Sequence, residues 1–337
     1  MPSSSAWTPL HAQIHRTLRQ RQLLPKTQSI LIAVSGGQDS LCLTKLLLDL
    51  QSKCQWKIAI CHCDHRWRTD SEANANHVEK LAQTWELPFH LQITNQELKS
   101  EAAAREWRYQ ALINVAQTHN YNYIVTGHTA SDRAETLLYN LTRGSGADGL
   151  QSLTWQRYLT EKIQLIRPLL EITRLETAQF CTDFQLPIWS DSTNEELKYK
   201  RNRIRLELIP YLKQNFNPQV EKALAQTAEL LQAEVEFLEN TAQEILQKAT
   251  LNAPFPQINR LILRSTPVAI QRRAIRQFLQ ENLGFAPNFE QIEKFTALIT
   301  APNRSCTDPF PGGAIAQVEN DWIYLKKAQS SKAESHC

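Results

Sequence analysis

The residues Ser35-Gly36-Gly37-Gln38-Asp39-Ser40 carry the strongest chemical signal in the sequence. Two adjacent glycines let successive backbone N–H groups turn toward one anion, and the serine hydroxyls at either end add donors. An apolar run, Ile30–Val34, predicts a buried strand before this stretch, and the leucine-rich segment Ser40–Leu50 predicts a helix after it. A helix that begins here directs its positive end at the same anion. The stretch therefore predicts a phosphate-binding loop.

Asp39 is out of place in such a loop unless a cation accompanies the phosphates. Mg²⁺ commonly bridges a carboxylate and phosphate oxygens, so Asp39 is predicted to be a metal ligand. The loop lacks the Gly-Lys-Ser/Thr ending of the common nucleoside-triphosphatase loop and so does not indicate transfer of a terminal phosphate. The alternative is a serine-capped helix start after a tight turn, which would not require both glycines and the aspartate.

The segments around this loop alternate between strand and helix patterns as far as Arg143. Further strands are predicted at Lys57–Cys63, Phe89–Thr94 and Tyr123–Thr126, and further helices near Pro9–Leu24, His77–Trp85, Glu101–His119 and Asp132–Leu141. This alternation predicts an α/β fold, a doubly wound parallel sheet with helices on both faces. Ligands of such sheets bind at the carboxyl ends of the strands, which is where Ser35–Ser40 lies.

The regular alternation ends after Arg143. The predicted elements beyond it are a strand at Leu165–Leu170, helices at Thr173–Phe184 (capped by Thr173) and Arg201–Leu212 on either side of a polar loop at Ser190–Lys200, a long helix from Asn217 to about Thr250, helices near Val268–Asn282 and Asn288–Ile299, and a strand pair within Ala314–Leu325. We therefore expect a main domain at residues 1–215, a helical linker at 216–253, a small C-terminal α/β domain at 254–327 and a frayed tail at 328–337.

Apolar residues recur in four–three alternation along the predicted long helix. They are Leu224, Ala228, Leu231, Val235, Leu238, Ala242, Ile245 and Ala249. Such a seam is typical of a coiled coil, so a homodimer is one interpretation. Packing against other helices of the same chain is the second, and it is at least as well supported because the alanines of the seam bury little area.

The composition limits the classes of protein and partner. The chain has 337 residues, 42% hydrophobic and 21% charged, and no apolar run of the length of about 18 residues that a membrane helix requires. Its seven cysteines include no Cys-x-x-Cys pair, which argues against a disulfide framework or a four-thiolate metal site and fits reduced thiols in the cytoplasm. The net charge is only +3, so a polyanion would be held by local basic clusters, for which Lys198–Lys213 and Arg260–Arg276 are the candidates unless they are solvated helix faces.

The Ser-Gly-Gly-x-Asp-Ser stretch resembles the pyrophosphatase loop of the N-type ATP pyrophosphatases. In that superfamily the loop grips the pyrophosphate of ATP while an acceptor oxygen is adenylated. Later blocks are similar to those of one of its families, the tRNA(Ile)-lysidine synthetases. They are Cys63–Arg68 (with Trp67 in place of the usual leucine), Ala104–Tyr109, Gly127–Thr136, Arg143–Gly146, Arg167–Leu170, Asp191–Asn194 and Tyr199–Arg205. The blocks span roughly Ile30 to Asn217, and the region after Pro254 resembles the family's C-terminal domain more loosely.

The resemblance implies a two-step reaction at the wobble cytidine of an isoleucine tRNA with a CAU anticodon. ATP adenylates the 2-oxygen of the base and releases pyrophosphate, and the ε-amine of free L-lysine then displaces AMP. The resemblance implies that ATP is bound by Ser35, Gly36, Gly37, Gln38, Asp39, Ser40, Asp64, His65, Gly127, His128 and Arg143, with Mg²⁺ on Asp39. Arg105 and Arg205, together with Arg143, are the candidates for stabilising charge on the transferred group.

The second step requires an amine without its proton, although free lysine keeps that proton to about pH 10.4. Asp132 and Glu135 lie three residues apart after the predicted strand Tyr123–Thr126, so a helix there would present both on one face. One could hold an amino group while the other accepts a proton. The same spacing is that of a capping box at a helix start, and it does not assign the two jobs.

Three other functions compete with this interpretation. An RNA thiolase of the same superfamily usually needs paired cysteines, and a small-molecule amide synthetase would have no use for two basic clusters. A non-catalytic tRNA-binding module would not require Asp39, Asp132 and Glu135. The resemblance implies that residues 254–327 contact tRNA at its acceptor stem. We expect a cytoplasmic protein, either in a bacterium or within a plastid, and no membrane partner.

Overall fold

The computed structural model describes residues 7–67, 69–189, 196–197, 199–251 and 255–327. The chain divides into two compact units, residues 1–232 and 233–337, which are described separately. The boundary between them lies inside a long helix, Val220–Ala249, which the sequence analysis assigned as a whole to a linker. The division into domains at 215 and 253 stays a prediction.

The first unit contains a six-stranded sheet. Its strands are β1 (Ser29–Ala33), β2 (Lys57–Asp64), β3 (Phe89–Ile93), β4 (Tyr123–Thr126), β5 (Gln156–Tyr158) and β6 (Gln164–Ile166). The order is β3-β2-β1-β4-β6-β5, and every neighbouring pair is parallel except β5 with β6. Because the chain moves outward from β1 in one direction and then returns to β1 with β4, the crevice for ligands is expected at the carboxyl ends of β1 and β4.

Helices cover both faces of this sheet. They are α1 (Pro9–Gln20), α2 (Gln38–Cys54), α3 (Ser71–Thr84), α4 (Glu101–Thr118), α5 (Ala130–Thr142), α6 (Ala147–Leu150) and α7 (Arg174–Asp183). Ile30 and Ile32 of β1 belong to the core on one face, together with Leu43 of α2. Leu31 points to the other face and packs with Leu112 of α4. The doubly wound parallel sheet predicted from the sequence is confirmed.

Several predicted elements of this unit differ in detail. The helix predicted at His77–Trp85 begins at Ser71, and β5 and α6 were not predicted. The strand predicted at Leu165–Leu170 ends at Ile166, because Pro168 has no N–H to continue the ladder. The helix predicted at Arg201–Leu212 consists of α8 (Lys200–Arg203), a π-helical segment (Ile204–Leu208) and α9 (Ile209–Asn215). Pro210 cannot donate a hydrogen bond to the preceding turn, which explains the wider turn. Most of the loop predicted at Ser190–Lys200 lies outside the described residues.

The second unit is built on the end of α10 (Val220–Ala249) and a three-stranded antiparallel sheet. Its other elements are β7 (Gln257–Asn259), α11 (Arg260–Arg264), α12 (Val268–Leu283), α13 (Phe289–Ala297), β8 (Ala314–Glu319) and β9 (Trp322–Lys327), with the strand order β7-β9-β8. The two helices and the strand pair predicted here are confirmed, whereas β7 and α11 were not predicted.

The apolar seam of α10 packs within the chain. In the first unit Leu224 packs with Ile204 and Ile209. In the second unit Ala242 and Ala249 are fully buried, and Leu238 and Ile245 pack on the same core. The interpretation as intrachain packing is therefore the one that the structure contains, and a homodimer stays a prediction. None of the described helices combines the length and the apolar character that crossing a membrane demands.

Candidate active site

The loop Ser35–Ser40 connects β1 to α2 at the carboxyl end of the sheet. Gly36 has a φ of +89°, which favours glycine, and a Cβ atom there would lie 2.5 Å from Oδ1 of Asn74. Gly37 is the N-cap of α2 and offers no capping side chain, so the N–H groups of the first turn point outward without a side-chain acceptor. The Ser40 hydroxyl donates to the carbonyl of Gly37 at 2.8 Å. This geometry can receive an anion such as a phosphate.

Hydrogen bonds from other parts of the chain to its carbonyl groups hold the loop in place. The side-chain amide of Asn74 donates to the carbonyl of Ser35 at 3.0 Å, and the N–H of Trp189 donates to that of Gly36 at 2.9 Å. Gly127, at the end of β4, lies against the backbone of Asp39, where a Cβ atom would be 2.8 Å from the carbonyl oxygen. The absence of a side chain at Gly127 thus allows β4 to approach the loop.

The side chain of Asp39 is largely buried and lies beside α7. Its Oδ2 accepts from Nε of Arg174 at 3.1 Å, and its Oδ1 accepts a short hydrogen bond from the hydroxyl of Thr177. Burial raises the pKa of the Asp39 carboxyl above its usual range, and the charge of Arg174 opposes that rise. A divalent cation would stabilise the charged form of this carboxylate.

The first turn of α5 presents Asp132. Its Oδ2 accepts from the backbone N–H and the hydroxyl of Thr129, both at 2.8 Å, so the capping box is present. Its Oδ1 accepts from Nη2 of Arg174 at 2.7 Å. Burial would raise the pKa of Asp132, but the Arg174 charge and the Thr129 hydrogen bonds outweigh it and hold the pKa below its usual range. The carboxylate of Asp132 therefore both caps α5 and belongs to the candidate site.

Glu135 lies one turn further along α5 and is almost fully buried. Its Oε1 accepts from Nη1 of Arg174 and from Nε of Arg205, both at 2.8 Å. Its Oε2 accepts from Nη2 of Arg205 at 3.0 Å. Arg205 reaches it from the π-helical segment, a feature that is frequent at functional sites. Of the five residues predicted to be catalytic, the structure brings together Asp39, Asp132, Glu135 and Arg205.

Arg174 joins these groups and was missed by the sequence analysis. It is the first residue of α7, after the predicted N-cap Thr173. Its N–H donates to the hydroxyl of Ser131 at 3.0 Å, and its carbonyl accepts from the side-chain amide of Gln38 at 2.8 Å. An arginine in a first helical turn opposes the helix dipole, so it needs carboxylate partners. An arginine directly after a predicted N-cap was the feature that could have indicated buried carboxylate partners. The sequence alone did not show which carboxylates these are.

The histidines predicted to shape the nucleotide pocket lie at the same edge of the sheet. Nδ1 of His128 is 2.8 Å from the hydroxyl of Thr126. Burial lowers the pKa of His128 to about 3, with Asp132 opposing and Arg167, Arg108 and Arg105 contributing, so its imidazole is neutral at neutral pH.

Asp64 and His65 lie at the end of β2. Asp64 is buried and accepts the N–H of Arg66 at 2.8 Å. The ring of His65 lies 4.9 Å from that of Trp67, and both line a cavity of about 450 Å³. The residues that line this cavity do not include any of the three clustered carboxylates. The role of Asp64 and His65 in nucleotide binding stays a prediction.

Among the described residues, two predicted cations form no hydrogen bond or ion pair with the carboxylate cluster. The guanidinium of Arg105 lies 5.6 Å from the ring centre of Tyr109, and that of Arg143 lies 5.4 Å from the ring centre of Tyr139. Arg143 is exposed at the C-cap of α5. The roles predicted for Arg105 and Arg143 stay predictions.

Comparison with known proteins identifies the family. A family model described as a PP-loop domain matches residues 9–212. A tRNA(Ile)-lysidine synthase of Nostoc sp. is 64% identical over 96% of this chain and 98% of its own length, and one of Synechocystis sp. is 53% identical over 94% and 98%. The chain belongs to the tRNA(Ile)-lysidine synthase family. The resemblance drawn from the motifs is thereby confirmed.

A solved structure adds information on the fold. The U34-tRNA thiolase NcsA of Methanococcus maripaludis, solved with its [4Fe-4S] cluster, aligns with a TM-score of 0.57 over 66% of this chain and 78% of its own. At 16% identity this likeness shows a shared fold alone. The PP-loop fold predicted from the sequence is confirmed.

Proposed function

We propose that this chain ligates free L-lysine to the wobble cytidine of the isoleucine tRNA with a CAU anticodon, using ATP. The observation that carries the proposal is the arrangement of the phosphate-binding loop and three carboxylates, from Asp39, Asp132 and Glu135, around one edge of the sheet. The relatives' name supplies the reaction class. Lysidine pairs with adenine, so the modified tRNA would read AUA instead of AUG.

In the first step the 2-oxygen of the cytosine attacks the α-phosphorus of ATP, and pyrophosphate leaves. The outward N–H groups of the loop and of the first turn of α2 would receive the pyrophosphate. Arg205 and Arg174 lie on the carboxylate side of the same crevice and can offset developing negative charge. Arg105 and Arg143 are proposed to approach the substrate from the surrounding helices.

The donor set also fits Mg²⁺. Mg²⁺ is usually bound by one or two carboxylates and completed by phosphate oxygens and water. Within the part of the chain that the structure describes, no group of three His, Cys, Asp or Glu side chains forms a ready metal site. Asp39, one carboxylate at the start of a phosphate-binding loop, is the expected ligand. When bound there, Mg²⁺ would neutralise charge on the phosphates.

In the second step the deprotonated lysine ε-amine attacks C2 of the adenylated base, AMP departs with the former 2-oxygen, and the proton that the amine loses as the C–N bond forms passes to water. The lowered pKa keeps Asp132 ionised at neutral pH, which suits a carboxylate that holds an ammonium group better than one that accepts a proton. Glu135 lies on the same helix face, within reach of the same ligand. Both carboxylates are therefore proposed to position lysine, and Asp132 to bind its charged group.

The basic clusters proposed to hold tRNA are more neutral than their sequence indicates. In the second unit Arg272 pairs with Glu293, while Arg273 and Arg276 pair with Glu239, all from outside the cluster. In the first unit Lys213 pairs with Glu221. Lys200 and Arg203 are exposed, and we propose them as contacts to tRNA phosphates.

Incorporation of labelled lysine tests the function. The whole chain, with ATP and Mg²⁺, is expected to attach lysine to the CAU-anticodon isoleucine tRNA and to form AMP and pyrophosphate in equal amounts. A methionine tRNA with the same anticodon is the control and is expected to remain unmodified. Formation of ADP, or no lysine attachment under conditions where the chain is folded, would contradict the proposal.

A further inference from the structure

Arg174 lies among the carboxylates that are proposed to handle ligands. Its Nε is 3.1 Å from Asp39, its Nη2 is 2.7 Å from Asp132, and its Nη1 is 2.8 Å from Glu135. Asp39 belongs to the phosphate-binding loop, and the other two carboxylates belong to α5. The guanidinium of Arg174 thus connects the proposed metal ligand, Asp39, to the two carboxylates proposed to position lysine, Asp132 and Glu135.

The bonds of Arg174 take up the oxygens that a cationic ligand would need. The second oxygen of Asp39 accepts from Thr177, and the second oxygen of Asp132 accepts from Thr129. The second oxygen of Glu135 accepts from Arg205. Every oxygen of the three carboxylates therefore has a donor. A carboxylate oxygen can accept two donors, as Oε1 of Glu135 does, so a metal ion on Asp39 or an ammonium group on Asp132 or Glu135 either shares an oxygen with the present donor or displaces it, and the charge of that donor decides which.

Charge makes Arg174 the donor to be replaced. Three carboxylates and two guanidinium groups leave the cluster with a net charge of −1. A divalent cation and an ammonium group added beside Arg174 would place like charges within a few ångströms in a largely buried site, where their repulsion is strong. Thr177 and Thr129 are neutral donors, and Arg205 donates to Glu135, whereas Arg174 donates to all three carboxylates.

We propose that Arg174 is a stand-in cation that holds the carboxylates in place in the ligand-free protein and is displaced from them when the divalent cation and lysine bind. This inference rests on the proposed function, because it takes the ligands from that reaction. The backbone of Arg174 is fixed by Ser131 and Gln38, so the side chain swings within the site and stays beside the loop. Arg174 is accordingly a positioning residue that competes with the two cations.

Binding of Mn²⁺ and of lysine tests the inference apart from activity. Both are titrated in the presence of α,β-methylene-ATP, Mn²⁺ by electron paramagnetic resonance and lysine by calorimetry. Arg174→Gln is expected to bind both more tightly than the wild type, by a factor of about 5 to 150, the usual range for coupled sites. Arg19→Gln is the matched control, since Arg19 is exposed in the last turn of α1 and has no part in the proposed site. The control is expected to bind as the wild type does.

Unchanged or weaker binding by Arg174→Gln would overturn the inference, since it would mean that Arg174 supports the ligands instead of competing with them. Failure of the wild type and the variant alike to bind Mn²⁺ with the nucleotide would overturn the proposed ATP site as well. Wild-type binding with no gain in the variant overturns the displacement alone.

A measurement on the wild type avoids any folding defect of the variant. The Nε–H resonance of Arg174, assigned by its loss in Arg174→Lys, is expected to shift and to exchange faster with water when Mg²⁺, α,β-methylene-ATP and lysine are added together. A resonance that stays in place at saturation would overturn the inference, because Nε would then still be bonded to Asp39.

Discussion

Asp39 and Asp132 are two aspartates of one cluster whose pKa values move in opposite directions. Burial raises the pKa of Asp39, whereas Arg174 and Thr129 hold that of Asp132 below its usual range. Opposite shifts in neighbouring carboxylates commonly mark different roles. Asp132 is suited to stay charged against an ammonium group. Burial disfavours the charged form of Asp39, and a bound cation would stabilise that form, as expected of a metal ligand.

Replacing Asp39 by Asn is expected to slow pyrophosphate release by a factor of about 100 or more, because a charged group that acts on the transferred phosphate is lost. The pKa of Asp39 is raised on folding, so its ionisation lowers stability as pH rises from the unfolded pKa through the folded one. Asp39→Asn removes that effect, and its unfolding free energy at pH 7 is expected to be no lower than that of the wild type.

Pyrophosphate release in single-turnover assays and urea unfolding check these two expectations. Asp183→Asn is the control, because Asp183 is exposed on α7 and accepts only from Gln179 of the same helix in the described contacts. A variant of Asp39 that keeps the wild-type rate would exclude the metal-binding role.

At the scale of elements, the site depends on the starts of three helices. The first turn of α2 presents the loop, that of α5 presents Asp132, and that of α7 presents Arg174. Thr129 and Thr173 cap the latter two through capping boxes. Each helix start follows a strand or loop at the carboxyl edge of the sheet, so helix dipoles and side chains converge on one crevice.

Gly127→Ala tests how closely β4 must approach the loop. The added Cβ would lie 2.8 Å from the carbonyl oxygen of Asp39, a backbone atom that cannot move without moving the loop. We expect a loss of about 1–3 kcal/mol in unfolding free energy, as for overpacking, and weaker binding of α,β-methylene-ATP. Gly146→Ala is the control, because a Cβ at Gly146 meets no atom within 4 Å. Equal nucleotide affinity in both variants would contradict the contact's importance.

Local pattern was enough to predict β1, β4, the loop and the carboxylate pair, because each depends on a few adjacent residues. Arg174 was not predictable in that way, since its partners lie 135, 42 and 39 positions away. The same limit applies to Arg273, which has no acidic neighbour in its own segment but pairs with Glu239 of α10. The π-helical turn that carries Arg205 depends on Pro210, whose effect on the preceding turn the helical periodicity does not show.

At the scale of the molecule, an ion pair between the buried Arg133 and the half-buried Glu229 fixes α5 within the first unit. Arg133, adjacent to Asp132 and almost fully buried, donates to Glu229 of α10 at 2.7 Å. Nε1 of Trp155 donates to the same oxygen at 2.6 Å, and Arg21, the C-cap of α1, donates to the other oxygen at 2.6 Å. The helix that carries Asp132 and Glu135 is thus tied through Arg133 to distant parts of the chain.

The most direct test of the account omits lysine. The whole chain is mixed in a single turnover with isoleucine tRNA, Mg²⁺ and ATP labelled at either the α- or the γ-phosphate. We expect the γ label to leave as pyrophosphate and the α label to become attached to the tRNA, from which added lysine then releases it as AMP. Release of the γ label as orthophosphate, with no α label on the tRNA, would contradict it.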